Sequence, residues 1–280
     1  MSFTEIIQAG YRPFISTSSF LRESLQLEPF GLSAHVIDES EANLDFHHAY
    51  LLANTLAFGS AEQGLGMPGW VYTDIVLAQT AVVGWMAPLD MCPREYVQEF
   101  ERDPKVNLSA LEYLPVTAQI AGLTADQNNW FGFSLISHQT KFRFQDGLNL
   151  YLAAYAKALS LEVYGAKKFM GLTQYKNSAI RYHGLFGRMF IRQPMVWTHN
   201  RPLESFIYGM DVEFDKNSFY QIDNLSNDDY DFLLNSNDDS QKREIENEIK
   251  VGIRHEIVSP YQIKNDDGSR SLPIVRHPTR

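Results

Sequence analysis

The residues best placed to do chemistry lie between Gly147 and Arg188, in the run GLNLYLAAYAKALSLEVYGAKKFMGLTQYKNSAIRYHGLFGR. The pattern predicts a long helix, a glycine-bounded turn, a short apolar strand and a second helix closed by Gly187. The first helix is entered from the loop HQTKFRFQDG, which carries Lys141 and Arg143. A helix that opens just after a strand has first-turn N–H groups with no partner inside the helix, and these attract anions. A phosphate-bearing ligand is therefore the first expectation. Asp146 in the same loop either competes for those N–H groups or caps the helix.

Other residue types offer less. Cys92 stands in MCPRE at a predicted helix start, where a thiol pKa is lowered, but no His, Asn or Asp pattern of a cysteine hydrolase accompanies it. His47 and His48 are adjacent on a predicted helix, so they point to different faces and do not easily share a metal ion. The loop GLGMPG lacks the strand before it and the helix after it that a dinucleotide fingerprint needs.

The elements that must position such a site follow from the hydrophobic pattern. Residues 1–30 read as short helical pieces outside the domain, LSAHVID (32–38) as a strand, and 41–58 as an amphipathic helix with Leu44, His48, Leu51, Leu52, Thr55 and Leu56 on one stripe. WVYTDIVLA (70–78), TAVVGWMAP (80–88), VTAQIAGLTA (116–125), NWFGFSLISH (129–138), MFIRQPMVWTH (189–199) and ESFIYGMDVEF (204–214) read as strands. PREYVQEFERD is a helical insertion, 222–240 an acidic surface segment, SQKREIENEIK a further helix, and NDDGSRSLPIVRHPTR a mobile tail. The fold class is α/β (α+β), a mixed central sheet with helices on both faces. The organisation is an N-terminal helical extension (1–30), a central domain (31–215) and an acidic C-terminal extension and tail (216–280). Trp70, Trp85, Trp130 and Trp197 are expected in the core.

The totals set limits. A net charge of −10 argues against non-specific nucleic-acid binding, which needs clustered Lys and Arg. One cysteine in 280 residues rules out an intrachain disulfide and a cysteine-based zinc site. No basic-then-apolar leader and no long apolar run stand in the sequence, so a cytoplasmic location without a membrane span is expected.

The chain resembles the GCN5-related N-acetyltransferase superfamily, with a layout similar to that of its acyl-homoserine-lactone synthases, over roughly residues 31–200. LSAHVID is similar to the family's first strand, NLDFHHAYLLANTLAFG to its first helix, and WVYTDIVLAQTAVVGWM to its hairpin. The 147–188 run resembles the cofactor helix, the next strand and the substrate-side helix. APLDMCPREYVQEFERD resembles the insertion of the synthase branch, although Gly122 stands where that branch has an arginine. The pyrophosphate loop departs from the family pattern too: its glycine, Gly147, comes one place late and Asn149 replaces the second small residue.

The resemblance implies transfer of an acyl group from acyl-CoA or acetyl-CoA, without a metal, to the amine of a small molecule or protein. The synthase layout implies acyl carrier protein as the other possible donor, which Lys141, Arg143, Lys167, Lys168, Arg181 and Arg188 would receive. A catalytically silent binding protein on the same fold is the reading from another class. By the resemblance, Arg143, Gly147, Leu148 and Asn149 hold the pyrophosphate. An exposed strand edge at Ile120, Gly122 and Thr124 pairs with the pantetheine amides, and the asparagine position that opens the second helix falls on Lys176, one place from Asn177, which is expected to bind the cofactor. Ala179 and Gly187 keep the family's separation and put its tyrosine position on His183, one place from Tyr182; either side chain can protonate the leaving thiolate. Glu112, Asp126 and His138 are equal candidates for the general base.

Overall fold

The computed structural model describes residues 3–20, 28, 31–59, 67–77, 80–123, 129–144, 148, 151–152, 155–156, 158–159, 165–166, 168–174, 189–198, 202–213, 254–257, 263–264, 270–271 and 274–277. The chain divides into two compact units: residues 1–123, 132–165 and 199–201, and residues 124–131, 166–198 and 202–280.

The first unit begins with α1 (Phe3–Gln8) and β1 (Arg12–Ser16), followed by β2 (His35–Ile37). Next come α2 (Leu44–Phe58), α3 (Gly69–Leu77), β3 (Thr80–Pro88) and α4 (Arg94–Glu101). The strand β4 (Tyr113–Leu123), β5 (Asn129–Ser137, of which residues from Gly132 on belong to this unit) and the short helix α5 (Gln139–Phe142) follow. The strands lie in the order β5-β4-β3-β1-β2, a mixed sheet: β1 is parallel to β2, and β3 is antiparallel to both β1 and β4.

Two of these elements correct the expectation. Residues 12–16 form a strand between β2 and β3, with Phe14 and Ile15 fully buried, so the chain before residue 31 is not wholly helical. WVYTDIVLA forms most of helix α3, not a strand. Val71 and Tyr72 donate their N–H groups to the Pro68 carbonyl, and the buried Tyr72 and Val76 are four residues apart. A short apolar run does not distinguish a buried strand from one face of a helix.

The central strands are buried on both faces. In β3, residues 81–87 are all buried; in β4, so are Leu114, Val116, Thr117, Ala118, Gln119 and Ile120. Continuous apolar and β-branched sequence is what a doubly covered strand requires. The register slips between Trp85 and Met86, opposite Thr117 and Pro115. Such a bulge accommodates a proline, which has no N–H for the ladder.

The second unit contains β6 (Lys168–Gln174), β7 (Met189–Thr198), β8 (Pro202–Glu213), β9 (Arg254–Ile257), β10 (Ile263–Lys264), β11 (Arg270–Ser271) and β12 (Ile274–His277). Its main sheet runs β6-β8-β7-β9-β12, each neighbouring pair antiparallel, with β10 and β11 paired separately. The tail expected to be mobile therefore supplies one strand of this sheet, β12 against β9, and β11 of the separate pair. The acidic 222–240 segment and the helix expected after it lie outside the described residues.

Candidate functional site

The loop singled out by sequence is a compact turn. At the end of β5 the His138 N–H donates to the Val116 carbonyl of β4 (3.0 Å), and the Phe142 N–H to the His138 carbonyl (3.1 Å). Helix α5 ends on Arg143, which is left-handed at φ 59 and ψ 40. The Phe144 N–H reaches back to the Gln139 carbonyl (3.0 Å), the six-to-one bond that closes a helix over a left-handed residue. A non-glycine residue pays steric energy in this region, of order 1–2 kcal/mol, and stays there only when its neighbours fix it. Phe142 and Phe144 do so from within the core, while Lys141 and Arg143 point into solvent. The Lys141 ammonium stands 4.9 Å from the centre of the Phe142 ring. The turn thus offers two exposed cations on a fixed backbone.

Beyond it, Leu148, Tyr151, Leu152, Tyr155, Ala156 and Leu159 are helical and buried. Their spacing of three and four residues makes one inward face, and Tyr155 meets Trp85 of β3 edge to face at 6.2 Å.

The expected site residues divide three ways. Arg143 and Leu148 stand at the turn and on the helix after it. Ile120 and Gly122 lie on β4, where Ile120 pairs with Val82 and Gly122 with Thr80 of β3, while β5 adjoins the strand on its other side. This is a correction: β4 is interior, so the free strand edge expected there is taken up by its neighbours. Thr124, Gly147, Asn149, Asn177, Tyr182 and His183 lie outside the described residues, as do Asp126, Asp146, Lys167, Arg181 and Arg188. Lys168 opens β6 in the second unit.

Among the base candidates, His138 is a core residue. It is 1% exposed, and its Nε2–H donates to the Ala53 carbonyl of α2 at 2.9 Å. Burial lowers its pKa to about 4 against that bond's opposing effect. Glu112 is exposed just before β4. Cys92 is poorly suited to act as a nucleophile: burial first, then the Asp90 charge, push its thiol up to about 12, and its Sγ–H points to the Pro88 carbonyl. Trp70 is 69% exposed, contrary to expectation, whereas Trp85 is fully buried; the side chains of Trp130 and Trp197 are not described.

A second polar constellation was not legible in the sequence. His47 on α2 holds the Asp38 carbonyl with Nε2 (2.7 Å) and the Tyr72 hydroxyl with Nδ1 (2.8 Å). A carbonyl only accepts, so Nε2 carries the proton and Nδ1 receives the Tyr72 O–H. Tyr72 in turn meets Ser16 Oγ at 2.9 Å. Burial lowers the His47 pKa, the Asp38 carbonyl opposing it. His48 instead bonds the Lys105 carbonyl at 2.9 Å. Three segments converge on His47, spanning 56 residues from Ser16 to Tyr72, and no local motif announces that meeting. Among the described residues no group of three or more His, Cys, Asp or Glu is arranged to hold a metal ion, and no helix is long and apolar enough to cross a membrane.

No family model and no curated protein matches the chain. Solved structures similar to it include aminoglycoside 6′-acetyltransferase type Ii (11% identity, 64% of this chain and 96% of that one, TM-score 0.38) and GCN5 of Tetrahymena (12%, 64% and 92%, 0.34). Nourseothricin acetyltransferase is a third (7% identity, 49% of this chain, TM-score 0.31); the chain covers 66% of that protein's length.

Proposed function

We propose that the chain is an N-acyltransferase that moves an acyl group from a coenzyme A thioester to the amine of a small molecule. The observation that carries this reading is the β5–α5 turn: a left-handed Arg143 and an exposed Lys141 stand where the chain passes from a central strand towards the helix containing Leu148. Cations and helix-opening N–H groups suit the diphosphate of coenzyme A. Arg143, Gly147, Leu148 and Asn149 are the residues assigned to it. Since β4 is interior, the pantetheine amides are assigned to a strand edge other than that at Ile120 and Gly122.

The amine nitrogen attacks the thioester carbonyl carbon, the carbon–sulfur bond breaks, and an amide and a thiolate result. The thiolate takes a proton from Tyr182 or His183, and the proton lost by the amine passes to water or to an exposed carboxylate such as Glu112. His138 is excluded from that role by its burial and its bond to Ala53. Acyl-CoA chemistry of this kind fits a cytoplasmic enzyme.

Calorimetric titration with acetyl-CoA, longer acyl-CoAs and acylated carrier protein tests the reading. Heat and a raised melting temperature with an acyl-CoA are expected; response to acylated carrier protein alone would move the donor to that protein, and response to none of them would leave a binding protein without this chemistry. Tyr182→Phe and His183→Gln, made separately, identify the proton donor. The variant that lacks it is expected to lose about 10²-fold in kcat with little change in KM for the thioester, because general acid catalysis acts in the transition state. Equal and full activity in both would remove the pair from the mechanism.

A further inference from the structure

The helix inserted between β3 and β4 has a buried aromatic residue whose neighbours lie on both sides of Arg143. Tyr96 of α4 is fully buried. Its ring centre is 4.8 Å from that of Phe142 and 5.1 Å from that of Phe144, the latter at an interplanar angle of 88°. It also stands 5.2 Å from the ring of His138 and 4.8 Å from that of Phe100, one turn along α4. The Tyr96 hydroxyl donates to the Pro115 carbonyl at the β4 bulge, which anchors the ring to the sheet. His138 is anchored independently, to Val116 through its N–H and to Ala53 through its ring. One tyrosine therefore holds the first residue of the turn and both residues that flank its left-handed position.

We propose that Tyr96 is a positioning residue for the diphosphate-holding turn: it fixes the backbone of Arg143 by clamping Phe142 and Phe144. The inference rests on the coenzyme A reading above. Tyr96 touches no part of the donor itself, and its effect is confined to the part of the donor that the turn receives. A left-handed arginine has lower-energy conformations to relax into once either phenylalanine is released, and the turn then presents its cations and N–H groups elsewhere. Preorganisation is the quantity at stake, so affinity for the phosphates falls while the chemistry at the thioester is untouched.

The test compares acetyl-CoA with S-acetyl-pantetheine, which keeps the thioester and lacks the diphosphate and nucleotide. Wild-type protein is expected to bind acetyl-CoA more tightly than acetyl-pantetheine. Tyr96→Leu is expected to weaken acetyl-CoA about tenfold or more, as KM with kcat retained, and to leave acetyl-pantetheine unchanged. Tyr96→Phe keeps the ring and loses only the tether to Pro115. It preserves the cluster if the leucine variant does not fold, and is expected to show a smaller loss of the same selectivity. Arg94→Ala, which breaks the exposed Arg94–Glu101 pair on the same helix, is the control and leaves both ligands unaffected. If the folded variants, Tyr96→Phe included, keep the wild-type preference for acetyl-CoA, or weaken both ligands equally, the positioning role is overturned while the thioester reading stands. A wild-type protein that binds both ligands equally overturns the role as well, because the turn then holds no diphosphate. If wild-type protein binds neither, the coenzyme A reading itself is lost and the inference with it.

Discussion

Replacing Gly84 by alanine is expected to destabilise the protein by about 3 kcal/mol or more, the upper range for one substitution. A Cβ at this position would lie 2.2 Å from the Thr117 backbone oxygen of β4 and 2.5 Å from Phe14 Cε1 of β1. Neither neighbour moves cheaply. Thr117 belongs to an interior strand, and the fully buried Phe14 ring also meets Phe46 of α2 edge to face at 5.2 Å. Gly84 pairs with Phe14 on one side and Ala118 on the other, so the methyl group forces apart the β1–β3–β4 core and the helix packed on it. A glycine inside a strand marks such a close approach. Urea unfolding of purified Gly84→Ala, or its recovery only as inclusion bodies, checks this. Gly31→Ala is a useful comparison: nothing stands within 4 Å of its added Cβ, and only the φ of 68 opposes it, so a loss of about 1 kcal/mol is expected there. Wild-type stability in Gly84→Ala would mean that Phe14 and β4 are not packed as described.

Between pH 6.5 and 4 the protein is expected to lose about 3 kcal/mol of stability through His138 alone. The folded pKa of His138 is about 4 against 6.5 for the free side chain, so in this interval the unfolded chain binds a proton that the folded protein refuses. Its contribution is complete above pH 6.5, declines as pH falls and levels off below 4. The cause is first the burial of the ring beneath Tyr96 and Phe142, with the Lys141 charge adding in the same direction and the Ala53 carbonyl opposing both. In His138→Gln an amide can still donate to Ala53, but nothing titrates. Its denaturation midpoints are expected to change less over this interval than those of the wild type. His47 is shifted in the same direction and contributes to both proteins, so the difference between them isolates His138. Parallel profiles would place His138 in contact with water.

Much of the element order was legible in the residues. The doubly buried β3 and β4 appear as continuous apolar runs, and α4 as an apolar pair, Tyr96 and Phe100, four residues apart beside charged neighbours. Helix α2 was legible as a helix but not as to its inward face. The expected stripe contains Leu44, which is 51% exposed, whereas Phe46, Ala49, Tyr50, Ala53 and Asn54 are buried. A helix apolar nearly all round gives its sequence no preferred side. Two of its three alanines, Ala49 and Ala53, face inward, where they permit close packing, and β4 is among the elements it packs against. The loop after β5 was legible from Lys141, Arg143 and the helix pattern after them. Its left-handed closure was not, because arginine carries no signal for a positive φ.

The amino-acid order by itself determined most of the classes of segment, the sign of the net charge, the single thiol and the cationic loop after β5, since each depends on residues close together in the chain. Only the tertiary structure decided that residues 12–16 join the first sheet, that 69–77 are helical, that β4 is an interior strand and that Tyr96 packs against both Phe142 and Phe144. Those outcomes come from contacts across tens of residues, where burial and register outweigh local preference.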